Sequence, residues 1–224
     1  MPSWTFSNAP SEFSASGDRI SFTTLPKTDY WHPPDRIAAN GHFYYTKATL
    51  PLAYGLHVQA SLQGQWATTY DQAGIMIRES SGKWIKAGVE YVKGRPYLRY
   101  LATLNCWLSS SVVSNPLSDW AIQPYPVNGP LTLRLSAPPG RHAKLHIEYL
   151  DGNQWIPFRE ITGWVFEQGR DYEVGIMACS PGDKGVRVEF WDIIAQDYSE
   201  LAYQKGIVDD GGINPNLHPE RKYA

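Results

Sequence analysis

The sequence predicts an all-β fold, a two-sheet antiparallel jelly-roll sandwich with an irregular C-terminal tail. Three observations predict it. Short runs rich in Val, Ile, Tyr, Trp and Thr recur along the chain, and Gly, Pro, Asn or Asp mark the breaks between them. No segment sustains a helical apolar period over three turns. The 224 residues, 42% hydrophobic and 19% charged, fit one packed sandwich and are too apolar for a disordered chain. Many short strands without helices leave a sandwich or a barrel.

In chain order the strand runs fall at 18–25, 42–50, 55–63, 72–79, 83–92, 96–104, 130–137, 143–150, 154–161, 172–179 and 186–195. Residues 26–41 form a loop that contains Pro26, Pro33 and Pro34. After 196 the chain turns polar and Gly-rich, so the expected division is a sandwich over 1–196 and a tail over 197–224 that packs on it or extends from it. Within the tail, 197–205 is the best short helix candidate. Asp209-Asp210-Gly211-Gly212 lacks the oxygen spacing of a calcium loop and reads as a turn.

The central hairpins have a register that parity decides. In 72–79, Ala73, Ile75 and Ile77 alternate with Gln72, Gly74, Met76 and Arg78. In 83–91, Ile85, Ala87, Val89 and Tyr91 alternate with Trp84, Lys86, Gly88 and Glu90. The first set of each is expected to face the core. A turn through Ser80-Ser81-Gly82 pairs Ile77 with Ile85, Glu79 with Lys83, Met76 with Lys86, Gly74 with Gly88 and Gln72 with Glu90. A two-residue turn at Lys93-Gly94 then sets Val89 opposite Leu98, Tyr97 beside Glu90 and Arg99 beside Gly88. A slip of one residue would drive Lys86 into the core.

The outer face of these strands then carries Gln72, Met76, Arg78, Trp84, Lys86, Glu90, Tyr97 and Arg99 around two facing glycines. Glycine inside a strand often marks close approach by a ligand or another backbone. Planar hydrogen-bonding groups ringed by aromatic faces suit a polyhydroxylated ligand. The competing reading is a solvated lattice of Lys86, Glu90, Arg78 and Arg99, with glycines that relieve twist.

Composition excludes several classes. The net charge of −2 and the lack of a basic run argue against a nucleic-acid partner. No run approaches the roughly 18 apolar residues of a membrane span. The start Met1-Pro2-Ser3-Trp4-Thr5 shows no secretory pattern, and Cys106 and Cys179 lack metal-type spacing, so a reduced, cytoplasmic setting is expected.

Five ordered blocks resemble the regulation-of-enolase protein family, a domain of unknown function within the concanavalin A-like lectin/glucanase superfamily. They are Thr28-Asp29-Tyr30-Trp31, Asn40-Gly41-His42-Phe43, Asp71-Gln72-Ala73-Gly74, Trp84-Ile85-Lys86-Ala87-Gly88-Val89-Glu90-Tyr91 and Gly175-Ile176-Met177-Ala178-Cys179-Ser180-Pro181, spread over about residues 20–195. The resemblance implies a two-sheet jelly roll with its usual ligand face on the concave sheet. It marks Asp29, Trp31, His42, Asp71, Gln72, Lys86, Glu90 and Met177–Pro181 as recurring positions. No chemistry is assigned to the family that can be carried over.

Double-displacement hydrolysis needs two carboxyl groups about 5–5.5 Å apart, and inversion about 6.5–9.5 Å. Glu90 has Gly88 and Val92 two positions away, so a second carboxylate would have to come from Asp71, Asp29 or Asp35 on loops. Lys86 and Glu90, about 13 Å apart along one strand, bracket a monosaccharide-sized ligand. Glu90 with Lys86 or Arg99 would also suit acid/base chemistry beside a carbonyl. His42 adds an acid/base candidate if it faces the concave side, and is otherwise structural. Asp71 departs from the outer-face parity and reads either as a strand-mouth group or as a tie for loop N–H groups. Asp29, His32 and Asp35 match no defined metal site, and no phosphate-cradling or dinucleotide motif is present, so neither metal nor cofactor is expected. Cys179 reads as a small buried group.

The expected function is binding of a sugar or similar polar metabolite on the concave sheet. Gln72, Arg78, Trp84, Tyr97, Arg99, Trp31, Asp71 and Met177 are the ligand-binding candidates, and Glu90, Lys86 and His42 the catalytic ones. The alternatives are a cofactor-independent acid/base enzyme (lyase, isomerase or hydrolase) and a protein-interaction module.

Overall fold

Strand alternation divides the chain into two seven-stranded sheets with antiparallel neighbours throughout. The computed structural model describes residues 3–32, 37–49, 56–79, 82–92, 95–104, 117–124, 129–136, 145–161, 169–197, 208–209 and 212–213. Every regular element among them is a strand. The first sheet runs, in spatial order, β1 (Thr5–Phe6), β6 (His42–Thr49), β15 (Asp171–Cys179), β8 (Gln72–Glu79), β9 (Trp84–Val92), β10 (Arg95–Leu104) and β11 (Leu117–Pro124). The second runs β14 (Gln154–Ile161), β13 (Leu145–Asp151), β12 (Leu131–Ser136), β7 (Leu56–Gly64), β16 (Arg187–Asp197), β3 (Arg19–Thr23) and β2 (Glu12–Ser16). Two small pairs complete the set: β4 (Tyr30–Trp31) with β5 (Ala38–Ala39), and β17 (Val208–Asp209) with β18 (Gly212–Ile213).

The core lies between the sheets. Ala73, Ile75 and Ile77 of β8, Ile85, Ala87 and Val89 of β9, and Val174, Ile176 and Ala178 of β15 belong to one cluster with Val58, Ala60 and Leu62 of β7 and Leu131, Leu133 and Leu135 of β12. Each fully buried Leu or Ile contributes about 1.5–3 kcal/mol, so this alternation fixes which face turns inward. The register follows parity: Ile77 opposes Ile85, Met76 opposes Lys86, Gly74 opposes Gly88 and Gln72 opposes Glu90. On the other side Val89 opposes Leu98, Glu90 opposes Tyr97 and Gly88 opposes Arg99. The Glu79 N–H donates to the Lys83 carbonyl at 2.8 Å, and Gly82 takes the left-handed φ of 88° that closes the turn.

Short and edge strands carried little pattern. Every residue of β2 is exposed, so nothing in it alternates. β11 is the edge of the first sheet and ends at Pro124, which suits a position needing no full ladder. Asp197 closes β16, and the rest of the helix candidate at 197–205 lies outside the described residues. Val208 pairs with Ile213 and Asp209 with Gly212, and Asp210 and Gly211 between them lie outside the described residues. Among the described residues no helix is long and apolar enough to cross a membrane.

The facing glycines are explained by the strands themselves. A Cβ on Gly74 would lie 1.9 Å from the Ala87 carbonyl oxygen, and one on Gly88 would lie 2.0 Å from that of Ala73. The pair lets β8 and β9 approach, and no guest above them is needed to account for either glycine. Gly74→Ala or Gly88→Ala must therefore force the strands apart, with an expected loss of about 1–3 kcal/mol. Urea denaturation measures it; an unchanged midpoint in both variants would contradict the close approach.

Candidate functional site

A buried polar network fastens the chain from Thr24 to Thr28 beside the first sheet. The Ser180 hydroxyl donates to Asp71 Oδ1 at 2.8 Å and receives the Thr24 hydroxyl at 2.9 Å. The Ser180 N–H donates to Thr28 Oγ1 at 3.0 Å, and Thr28 in turn donates to the Leu25 carbonyl. Asp71 also accepts the N–H groups of Ala67 and Thr68 at 2.9 and 2.7 Å and the Thr68 hydroxyl at 2.8 Å. Asp71 is fully buried, so both carboxylate oxygens hold loop backbone and side chains. Of its two expected readings, the structure shows the loop tie.

This fastening delivers Tyr30, Trp31 and His32 onto the outer face of β8 and β9. Tyr30 packs with Phe43, Met76, Trp84, Met177 and Cys179 in a second apolar cluster, with Trp31 and Tyr45 against it. The Tyr30 hydroxyl donates to the Gly41 carbonyl at 3.0 Å, and burial pushes its pKa up to about 12. The outer face expected to be open is therefore roofed by the β4–β5 hairpin, and Met177, Trp84 and Trp31 are packing groups of that roof.

Lys86 sits at the centre, 3% exposed. Its ammonium donates to the Tyr30 carbonyl at 2.7 Å and to Gln72 Oε1 at 2.5 Å, and lies 5.2 Å from the Trp84 ring centre. A buried cation is tolerable only with such partners. Gln72 Nε2 donates to Asp29 Oδ1 at 3.2 Å and to the Tyr70 carbonyl at 3.3 Å, which orients its oxygen toward Lys86. Asp29 Oδ1 also receives the Tyr30 N–H at 2.8 Å. Glu90, 2% exposed, stands on the strand opposite Gln72.

His32 completes the cluster. It is 4% exposed, with its ring edge-on to Trp84 at 5.6 Å. Neither His32 nitrogen, nor Trp84 Nε1, has a hydrogen-bond partner among the described residues. Burial, with the Lys86 charge beside it, holds the His32 imidazole below its usual 6.5. It is thus a neutral ring with one donor and one acceptor nitrogen to offer. The sequence singled out His32 only as a weak metal candidate; its signal was adjacency to the Asp29-Tyr30-Trp31 block, which parity on β8 and β9 could not reach. Asp35 lies outside the described residues, and no group of three or more metal-type ligands occurs among the described ones.

Other candidates do not join this cluster. His42 lies on the opposite face of β6 from Phe43 and meets Phe22 of the core edge-on. Its Nε2 accepts the Leu25 N–H at 2.8 Å while Nδ1 meets the Asn8 carbonyl at 3.0 Å. A backbone N–H can only donate and a carbonyl only accept, so the proton sits on Nδ1 and the ring is structural. His42, expected as an acid/base candidate only if it faced the concave side, takes its other reading and is not a catalytic group of this face. Arg78 is bonded to Glu173 at 2.5 Å and lies over Phe43 and Tyr45, away from Lys86 along β8. It belongs to the ion-pair reading of the face. The backbones of Tyr97 and Arg99 take the expected register, and their side chains lie outside the described set.

Burial also holds His42 below 6.5, with the Asn8 contact opposing. Both imidazoles are therefore protonated more readily in the unfolded chain than in the folded one. Their contribution to stability is complete above about pH 6.5 and is lost as pH falls through the folded values. Two of the histidine resonances are expected to titrate below 6.5 by NMR. The urea midpoint should fall with pH below 6.5, less steeply in His32→Phe; an identical slope would contradict a buried neutral His32.

Similarity to known proteins agrees with this architecture. The chain is 30% identical over 196 residues to Regulation of enolase protein 1 of Saccharomyces cerevisiae, covering 85% of this chain and 89% of that protein. A solved structure of a functionally unknown protein from Saccharomyces cerevisiae superposes with a TM-score of 0.70 at 27% identity, over 87% of this chain and 96% of that one. Two more distant structures share the fold alone. An alginate lyase from Klebsiella pneumoniae gives a TM-score of 0.52 at 11% identity, over 84% and 85% of the two chains. A GH43 protein from Bacillus licheniformis gives 0.59 at 15%, over 86% of this chain and 37% of that one. The profile of the family described as Protein of unknown function (DUF1349) matches residues 4–197, and the chain belongs to that family.

Proposed function

We propose that the protein is an intracellular module that binds a sugar or similarly polar small metabolite beneath the β4–β5 hairpin. The observation that carries this reading is the set of buried ring nitrogens on His32 and Trp84 that no described group satisfies. Buried polar atoms are almost always hydrogen-bonded, and each one left unmet costs about 1–3 kcal/mol. A guest hydroxyl donates and accepts at once, so it suits a neutral His32 beside the donor-only Trp84. Lys86 and Gln72 add oriented polar groups within the same cluster.

Two facts favour binding over hydrolysis. Asp71 is committed to Ala67, Thr68 and Ser180, and Asp29 to Tyr30 and Gln72. Two of the three loop carboxylates that could partner Glu90 are thus engaged in holding the structure, and the third, Asp35, lies outside the described residues. The fold is shared with a GH43 protein and an alginate lyase, which supports a carbohydrate as the guest class.

Thermal shift with D-glucose, D-xylose and D-glucuronate at millimolar concentration tests the reading. The wild type should gain stability with at least one of them, approaching about 2.7 kcal/mol at a hundredfold excess over Kd. His32→Phe and Trp84→Phe should each abolish the gain. A wild type that responds to none, while both variants are more stable than it, would mean that the ring nitrogens are a tolerated cost and not a site.

A further inference from the structure

The second sheet carries an open groove of about 630 Å³, separate from the Lys86 cluster. It is lined by Gln59 and Ser61 of β7, Thr132 of β12, Trp155 of β14 and Asp192 of β16, with Trp4 also on its wall. Because Val58, Ala60 and Leu62 point into the core, Gln59 and Ser61 point out of it. From β14 to β16 the groove crosses four strand spacings, about 19 Å.

The groove is built around an irregularity. The pairing of β16 with β7 shifts between Trp191 and Ile194, which inserts one extra residue into β16. At this bulge Asp192 holds a left-handed φ of 51°. Aspartate enters that region more readily than most L residues, and from there its short carboxylate reaches Ser61. Asp192 is exposed, and its Oδ2 lies 3.4 Å from the Ser61 hydroxyl, which meets the Thr132 hydroxyl at 2.8 Å. A polar ladder thus runs across three adjacent strands.

Both aromatic walls are held in place. The Arg134 guanidinium lies 4.2 Å from the Trp155 ring centre and is itself bonded to Glu148 at 2.6 Å. Trp4 stacks on Tyr44 with centroids 5.2 Å apart. Rings fixed in advance lose little freedom when a ligand packs on them. Asp18 and Asp192 line the groove and no basic residue does, among the described ones. That charge pattern disfavours an anionic chain.

From this geometry we infer that the outer face of the second sheet is a binding groove for a neutral oligosaccharide, with Asp192, Ser61 and Gln59 taking its hydroxyls and Trp155 stacking on its rings, while Trp4, stacked on Tyr44 at the edge of the first sheet, adds an apolar wall. The groove is long and open, which fits a chain of sugars better than a single one. This site does not depend on the Lys86 cluster.

Isothermal titration with xylohexaose, laminarihexaose and a hexameric oligogalacturonate decides it. At least one neutral hexamer should bind and the anionic one should not. Trp155→Ala and Asp192→Gly should each weaken binding about tenfold or more, while Asp183→Asn, at an exposed carboxylate away from the groove, leaves it unchanged. Asp192→Gly removes the carboxylate and relaxes the backbone, so its melting temperature should match or exceed the wild type and its lost binding cannot be ascribed to unfolding. No binding of either neutral hexamer would overturn the inference. So would binding that survives both groove variants or is lost in Asp183→Asn.

Discussion

One buried cation organises the outer face of the first sheet. Lys86 stands on β9 where an ammonium has almost no access to water, and its bonds to the Tyr30 carbonyl and to Gln72 make that position tenable. The same bonds tie a loop to a sheet. Without them the carbonyl of Tyr30 would lose its donor and the charge would have to reach solvent. The positions of Tyr30, Trp31 and His32 over Trp84 and Met177 follow from that tie, together with the Ser180 network that brings the chain to the spot.

The result is a sandwich with unlike outer faces. The first is closed by a short hairpin over apolar packing, and its polar groups are concentrated where Lys86, Gln72, His32 and Trp84 meet. The second stays open along a groove that crosses several strands, with acidic and hydroxyl groups on its floor. His42, for all its promise as an acid/base group, has both nitrogens bound to backbone and serves to join the Leu25 and Asn8 segments to β6.

The sheets were legible in the sequence because burial on one face imposes a period of two. Ile75 and Ile85 can sit only inside, and that places Gln72 opposite Glu90 and Gly74 opposite Gly88. Parity cannot say what lies above a face. Parity predicts an open Gln72–Lys86–Glu90 face, and the hairpin at Tyr30 closes it, because no periodic signal links residue 30 to residue 86. The missed strands have the same cause: β2 is wholly exposed and β1 is two residues long, so neither carries an alternation. The bulge at Asp192 was equally silent, since an aspartate in a left-handed conformation looks like any other in the sequence.

Hydrogen exchange on Lys86→Met tests the central claim most directly. The Tyr30 N–H is bonded to Asp29 Oδ1 and the His32 N–H to Ser118 Oγ, so both report whether the loop remains seated. Methionine keeps much of the side-chain volume and removes the charge. The account predicts faster exchange at Tyr30 and His32 with the core amides of Leu133 and Ile176 still protected. Unchanged protection at Tyr30 and His32 in that variant would show that the cation does not hold the roof.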